Sequence, residues 1–285
     1  MPTDNLISKI KNRESDIVLY GITPPKKGTS EEKVAEISAR QVERLQNLNV
    51  DGLVLYDIQD EKSRTDEERP FPFMETLDCY DYSQQHLTNL KIPKIVYRAV
   101  GKYSETELSD FLTQAEPNEV LSIFVGAASK SQEVTVSISD AYKIKARTQS
   151  DVLLGGVVIP ERHQTKGDEH LRVFQKIAQG CTFFVSQGVY DVNASKNFLS
   201  DYYYYGKEHN IPLVPILFTL TPCGSAKTLQ FMKWLGISIP KWLENDLIHS
   251  NDILQRSVDV SEQSYRELKA FADEKGIPVG CNIES

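Results

Sequence analysis

Short apolar runs alternate with longer amphipathic stretches along the whole chain. Asp16–Gly21, Gly52–Ile58, Pro93–Val100, Val120–Gly126, Val152–Ile159, Thr182–Ser186, Leu213–Leu220 and Pro278–Ile283 are short and dominated by apolar and β-branched residues. They read as strands buried on both faces. The stretches between them carry helical signals. In Ser30–Leu48 the apolar Val34, Ile37, Val42 and Leu45 fall near a 3.6-residue period. Ser104 opens another helix, with Glu107 at capping-box spacing and Leu108, Phe111 and Leu112 on one face. Further helices are predicted over Ser139–Arg147, Asp168–Gln179, Ala194–His209, Ser225–Leu235 and Ser261–Lys275, with a short one after Pro240.

Eight such strands separated by helices predict an all-parallel sheet, and eight is the number that closes a single (β/α)8 TIM barrel. The alternative is an open doubly wound sheet. It would place a Gly-rich phosphate loop after the first strand, where this chain has Thr23-Pro24-Pro25 and no GxGxxG. No linker, internal repeat or low-complexity tract interrupts the alternation, so residues 1–285 are expected to form one domain. The polar segment Gln59–Arg69 after the second strand reads as an active-site loop rather than a packing element.

Composition supports this and narrows the partners. A chain of 285 residues, 40% of them hydrophobic, can fill the core of a barrel, which takes roughly 250 residues. A formal net charge of -8 gives no footprint for nucleic acid or an anionic membrane. Small molecules or other proteins are the expected partners, and a homo-oligomer stays open. Cys79, Cys181, Cys223 and Cys281 form no CxxC or Cys/His cluster, so they read as buried free thiols and point weakly to a cytoplasmic protein. The polar start, Met1–Arg13, has no apolar core of a signal peptide, and no run is long enough to span a bilayer.

In a barrel the chemistry lies just after the C-terminal ends of the strands. Here those positions include Gly21, Thr23, Asp57, Tyr97, Arg98, Gly126, Glu161, His163, Gln187, Thr219 and Asn282. They contain no Ser-His-Asp order, no HExxH and no spacing for a metal, so hydrolysis by triad or metal is disfavoured and no metal is expected. Neutral polar groups with one or two basic ones suit a large, partly anionic organic ligand. The fifth strand ends in Ile159-Pro160-Glu161-Arg162-His163, and His163 with Lys176 could hold a phosphate beside a helix start. The plain reading of the same stretch is surface charge with Asp168 capping a helix.

Four motifs, in order and at comparable spacing, make the chain resemble the methylenetetrahydrofolate reductase family. They are Thr23-Pro24-Pro25 after the first strand, Pro160-Glu161-Arg162-His163 after the fifth, Gln187 to Asp191 after the sixth, and Ile239-Pro240-Lys241-Trp242 after the seventh helix. The resemblance implies a barrel that binds FAD along its strand ends. A hydride from NADH or NADPH would pass through the flavin to a folate-type one-carbon carrier. It implies that His163, Asp168 or Glu169, and Lys176 hold the phosphate and adenosine end of FAD, with Tyr97 and Gly126 also on the cofactor side. It further implies that Gln187 contacts the pterin, that Phe231 stacks where folate and nicotinamide share space, and that Thr23 lies on the substrate side.

Two departures cut against the ordinary chemistry. The family's general acid, a Glu, falls on Gly21, and its flavin-side Asp falls on Ala127. A glycine has no proton to give. The leading expectation is therefore a divergent flavin-dependent oxidoreductase using Asp57 or Glu161 as proton donor, its pKa raised in a dry barrel mouth. The runner-up is a catalytically silent barrel that binds a folate or flavin and works with a partner such as a methyltransferase. A third reading is unrelated chemistry on a reused barrel.

Overall fold

A computed structural model describes residues 5–61, 65–127 and 134–284. Eight parallel strands close into a barrel in the order β1 to β8, with helices in the connections, which is the (β/α)8 fold. By contacts the chain divides into two compact units, and the boundary falls inside the fifth strand. One unit is Met1–Ser8, Val18–Arg64 and Phe73–Gly155; the other is Lys9–Ile17, Thr65–Pro72 and Gly156–Ser285. Among the described residues no helix is long and apolar enough to cross a membrane.

The first unit is built on β1 (Val18–Ile22), β2 (Gly52–Leu55), β3 (Lys94–Ala99) and β4 (Val120–Val125), paired in parallel with Gly21 beside Val54 and Tyr97 beside Ile123. The predicted helix after β1 forms as α2 (Glu31–Gln46), capped by the Ser30 side chain on the Lys33 N–H. α4 (Glu105–Gln114) carries the predicted capping box between Ser104 and Glu107, and α5 (Ile138–Thr148) covers the next predicted helix.

Two elements in the first hundred residues were not predicted. α1 (Leu6–Lys11) lies in the stretch read as a polar terminus. Leu6 and Ile10 are fully buried, and Leu6 closes against Gly52, where a Cβ would come within 2.5 Å of it. α3 (Cys79–His86) has almost no aliphatic residue. It is set by Asp78, whose carboxylate accepts from the N–H groups of Tyr80 at 2.8 Å and Asp81 at 3.1 Å, and by burial of Cys79 and Tyr82.

The second unit holds β6 (Cys181–Gly188), β7 (Ile216–Leu220) and β8 (Val279–Glu284), after β5 (Leu154–Val158). Ser186, Thr219 and Asn282 form a buried polar layer on these strands. Thr219 donates to the Ser186 carbonyl at 2.6 Å and accepts from Asn282 Nδ2 at 3.1 Å. The segment after β5, expected as a loop, is a two-turn helix, α6 (Pro160–Lys166). Pro160 begins it without needing its missing N–H, and Gly167 ends it at φ +65°. α7 (Glu169–Ala178), α8 (Val192–Glu208), α9 (Ala226–Trp234) and α10 (Lys241–His249) match predicted helices. The last predicted helix is longer than its apolar face implied: α11 (Ile253–Lys275) starts at the Asp252 cap. The Tyr202–Tyr205 run serves packing, with Tyr202 fully buried and stacked on Phe198 at 5.8 Å. All four cysteines are free and buried.

Candidate functional site

In the first unit the loop after β1 is tied down. Leu77 donates to the Pro25 carbonyl at 2.8 Å and Lys27 to that of Glu75 at 2.9 Å, which leaves Pro24 and Pro25 buried and Thr23 exposed. Just past β2, Asp57 is buried and engaged by three donors: the Ala99 N–H at 2.8 Å, Tyr103 Oη at 2.8 Å and the Lys102 ammonium. Next to it Asp78 pairs with Arg98. Burial raises the Asp78 pKa, but the Arg98 guanidinium and the Asp81 N–H outweigh it and hold the carboxyl below its ordinary value.

Arg98 does not reach into the barrel mouth as its place on β3 suggested. It lies over the Phe111 ring at 4.2 Å and the Tyr103 ring at 4.8 Å, toward the helices. Asp57 is thus held in place by three donors, one of them charged. Tyr103 bridges the two ion pairs, with Asp78 Oδ2 at 3.1 Å. Replacing Tyr103 by Phe removes a hydrogen bond to charged groups and is expected to cost about 1.5–3 kcal/mol, read as a lowered urea midpoint at unchanged slope.

Tyr97 is buried at the end of β3, edge-on to Tyr56 at 4.9 Å. The carbonyl of Gly126 accepts from Gln59 Nε2 at 3.1 Å. A Cβ on Gly126 would meet Ile138 at an ordinary 3.5 Å, so nothing on this side demands a glycine. Ala127 is exposed. Of the predicted loop Gln59–Arg69, residues 62–64 lie outside the described residues.

In the second unit Glu161 is buried at the start of α6, with Oε1 lacking any hydrogen-bond partner. Burial pushes its pKa up to about 8, helped by the Asp191 charge and opposed by backbone N–H groups of Glu161, Tyr190 and Asp191. His163 is buried between helices, its Nε2 3.0 Å from Asp201 Oδ2 on α8. Glu169 is buried, accepting from the Ile159 N–H at 2.8 Å and facing Arg162 at 3.4 Å. Asp168 faces Arg172 at 3.4 Å and makes no capping bond. Lys176 donates to the Val157 carbonyl at 2.6 Å, and burial lowers its pKa.

A third group lies along α9. Gln187 Nε2 donates to the Leu235 carbonyl at 3.0 Å. Phe231 stacks on Trp234 at 6.0 Å and meets Phe71 edge-on at 5.4 Å. The Arg69 guanidinium lies 5.2 Å from both the Phe231 and the Trp234 ring centres, and the Lys227 ammonium lies 4.6 Å from that of Phe71. Trp234 Nε1 donates to the Glu67 carbonyl at 3.0 Å, which fixes the loop carrying Arg69 and Phe71. Sequence reasoning named Gln187 and Phe231 but missed Arg69, Phe71, Lys227 and Trp234. The one signal available was the polarity of the loop that ends at Arg69.

As arranged, the residues that the resemblance assigns to a flavin do not fit its diphosphate. Lys176 spends its ammonium on a strand carbonyl, and His163 holds Asp201. Glu169 and Asp168 bring negative charge to the same place. Gly21 and Ala127 carry no acidic side chain.

The family model for methylenetetrahydrofolate reductase matches residues 115–273. A Clostridium thermocellum protein described as binding two copies of 5-methyl-5,6,7,8-tetrahydrofolic acid is similar to this chain at 55% identity. The match covers 98% of this chain and 92% of that one, with a TM-score of 0.88. Dihydropteroate synthase of Xanthomonas albilineans matches 96% of this chain and 90% of its own at 10% identity and a TM-score of 0.48, a likeness too remote to carry an argument. No curated protein matches the chain. The half-chain family match and the extent of the 55% identity show that the chain belongs to the methylenetetrahydrofolate reductase family.

Proposed function

We propose that the protein binds a reduced folate of the 5-methyltetrahydrofolate type and does so without the family's flavin reduction. The observation that carries this reading is the set of groups along α9: the Gln187 amide at its end, the Phe231 and Phe71 rings, and the Arg69 and Lys227 cations against those rings. A folate is a flat heteroaromatic head, a benzoyl ring and a glutamate with two carboxylates. With its N–H spent on Leu235, the Gln187 amide oxygen is the group that accepts from the pterin edge. The phenyl faces stack on the planar rings, and Arg69 and Lys227 pair with the carboxylates. In a chain of net charge -8 these two cations also give an anionic ligand a local reason to come here. The relative at 55% identity, described with 5-methyltetrahydrofolate, supports the same ligand class. A barrel that holds a methylated folate and lacks the family's acid would present that carrier to a methyl-transferring partner.

Calorimetric titration with 5-methyltetrahydrofolate tests the reading. Phe231→Ala is expected to weaken binding about tenfold through lost stacking. Lys227→Ala, at an exposed site, is expected to weaken it severalfold, more at low salt. Unchanged affinity in both variants would remove the ligand from this place.

A second reading, a flavin-dependent reduction of a folate-type carrier with FAD and NADH or NADPH, is favoured by one feature. Glu161 is a buried carboxyl that keeps its proton at neutral pH, as a general acid must. The visible spectrum of the purified protein separates the readings, since oxidised flavin bands belong to the second alone.

A further inference from the structure

We propose that His163, His170 and Asp201 form a binding site for a first-row divalent cation of the zinc type, clasping α6, α7 and α8 together. One ligand atom from each of the three residues lies within 4.8 Å of the other two. The histidines come from two helices joined through Gly167, and Asp201 comes from the third. The His163 and His170 rings meet edge-on at 5.2 Å and 85°.

The rings are left with unspent nitrogens. His163 is 6% exposed, and its Nδ1 has no hydrogen-bond partner; Nδ1 of His170 is likewise buried and unpartnered. Asp201 Oδ2 sits 3.0 Å from Nε2 of His163. An ion seated there would replace this contact, with His163 Nε2 and Asp201 Oδ2 as two of its ligands and a nitrogen of His170 as the third. If the three residues were only a packing contact, the buried Nδ1 of His170 would stay unsatisfied, which folded proteins avoid.

The donor set selects the ion. Two imidazoles and a carboxylate suit zinc, cobalt or nickel, while magnesium and calcium prefer all-oxygen shells. Zinc bonds such ligands at about 2.0–2.2 Å, so tetrahedral ligand atoms stand about 3.3 Å apart. Closing from within 4.8 Å takes side-chain rotation, and the Asp201 side chain, 55% exposed, has room to turn. That same exposure gives the ion its entry path and leaves a fourth position for water. Phe198 and Tyr205 shield the other sides, 6.2 Å from the His163 ring and 5.7 Å from the His170 ring.

The site explains why the residues that a flavin phosphate would need are arranged otherwise, and it stands independently of folate binding. The test uses the full chain without an affinity tag, stripped by a chelator and titrated with Zn²⁺ and with Co²⁺. The expected result is one ion per chain, visible cobalt bands of low-symmetry coordination, and a rise in melting temperature on zinc addition. His170→Gln, at a half-buried position, and Asp201→Asn, at an exposed one, are expected to weaken zinc binding about 100-fold or more and to abolish the cobalt bands. Their metal-free melting temperatures should match that of the stripped parent, which distinguishes lost coordination from lost folding. Should His170→Gln not fold, Asp201→Asn decides alone. Absence of stoichiometric binding, or binding by these variants at the parent affinity, overturns the site.

Discussion

Gly280→Ala is expected to abolish folding or to cost at least about 3–5 kcal/mol. Gly280 lies in β8, paired with Leu217 of β7. An added Cβ would stand 2.2 Å from the carbonyl oxygen of Ile17, 3.0 Å from its nitrogen and 2.8 Å from Leu217 Cδ2. Side-chain ends can move aside, but here the first obstacle is backbone. That backbone is held on both sides, by Cys281 donating to the Ile17 carbonyl at 2.9 Å and Asp16 donating to that of Val279 at 2.8 Å. Moving it breaks ladder bonds in the sheet, so the cost exceeds the roughly 1–3 kcal/mol of ordinary overpacking. Gly224→Ala is the control: nothing lies within 4 Å of the added atom, and the change should stay within about 0.5 kcal/mol. Urea unfolding of the two variants checks the pair. A Gly280→Ala protein with the parent's midpoint would mean that Ile17 is free to shift and that β8 is not as tightly seated as this.

The eight strands were legible because each is a short, mostly apolar run rich in β-branched residues, the pattern that burial on both faces produces. What stayed hidden was structure whose signal is not periodic. α3 is specified by one capping aspartate and two buried aromatic or thiol groups, and α6 by a proline start and a glycine stop around polar residues. Neither has an apolar stripe to read. At the site, the motif positions Gln187 and Phe231 could be named from resemblance, yet the groups around them come from residues 67–71, far away along the chain. Only the fold brings them together. The same holds for His170 and Asp201, whose chemistry exists only once three helices pack.

Side-chain direction was the other unreadable quantity. Position on β3 suggested Arg98 for the barrel mouth, and its guanidinium instead caps the Phe111 ring in the helical layer. Lys176 looked like a phosphate ligand and is a donor to the Val157 carbonyl. The two proposed proton donors also separate on environment alone. Asp57 accepts from three donors, one of them charged, while Glu161 keeps one buried oxygen without a partner. Equal carboxyls in the sequence become one anchored by three donors and one left partly unpartnered in a buried place, which no spacing rule could have told.

Glu161→Gln is expected to flatten the pH dependence of stability between about pH 5 and pH 8 and to stabilise the protein at pH 9. The folded chain binds the Glu161 proton up to about 8, whereas an ordinary glutamate releases it near 4.5. Between those values the folded state carries the proton and the unfolded state does not, so raising the pH favours unfolding. The contribution is complete below the unfolded value and is lost as pH climbs through the folded one. Each pH unit between the two values is worth about 1.4 kcal/mol, so the full loss is at most about 4–5 kcal/mol, less if the helix start loosens to admit water. Burial is the chief cause, and the Asp191 charge adds to it, so Asp191→Asn should move the transition modestly downward in pH. Glutamine keeps the shape of the side chain and cannot ionise, which removes the penalty without opening a cavity. Melting temperatures of parent and variant measured from pH 5 to pH 9 give the answer. Parallel curves would show that Glu161 is already ionised at neutral pH, and with it would go the observation that favours a reductase reading for this barrel.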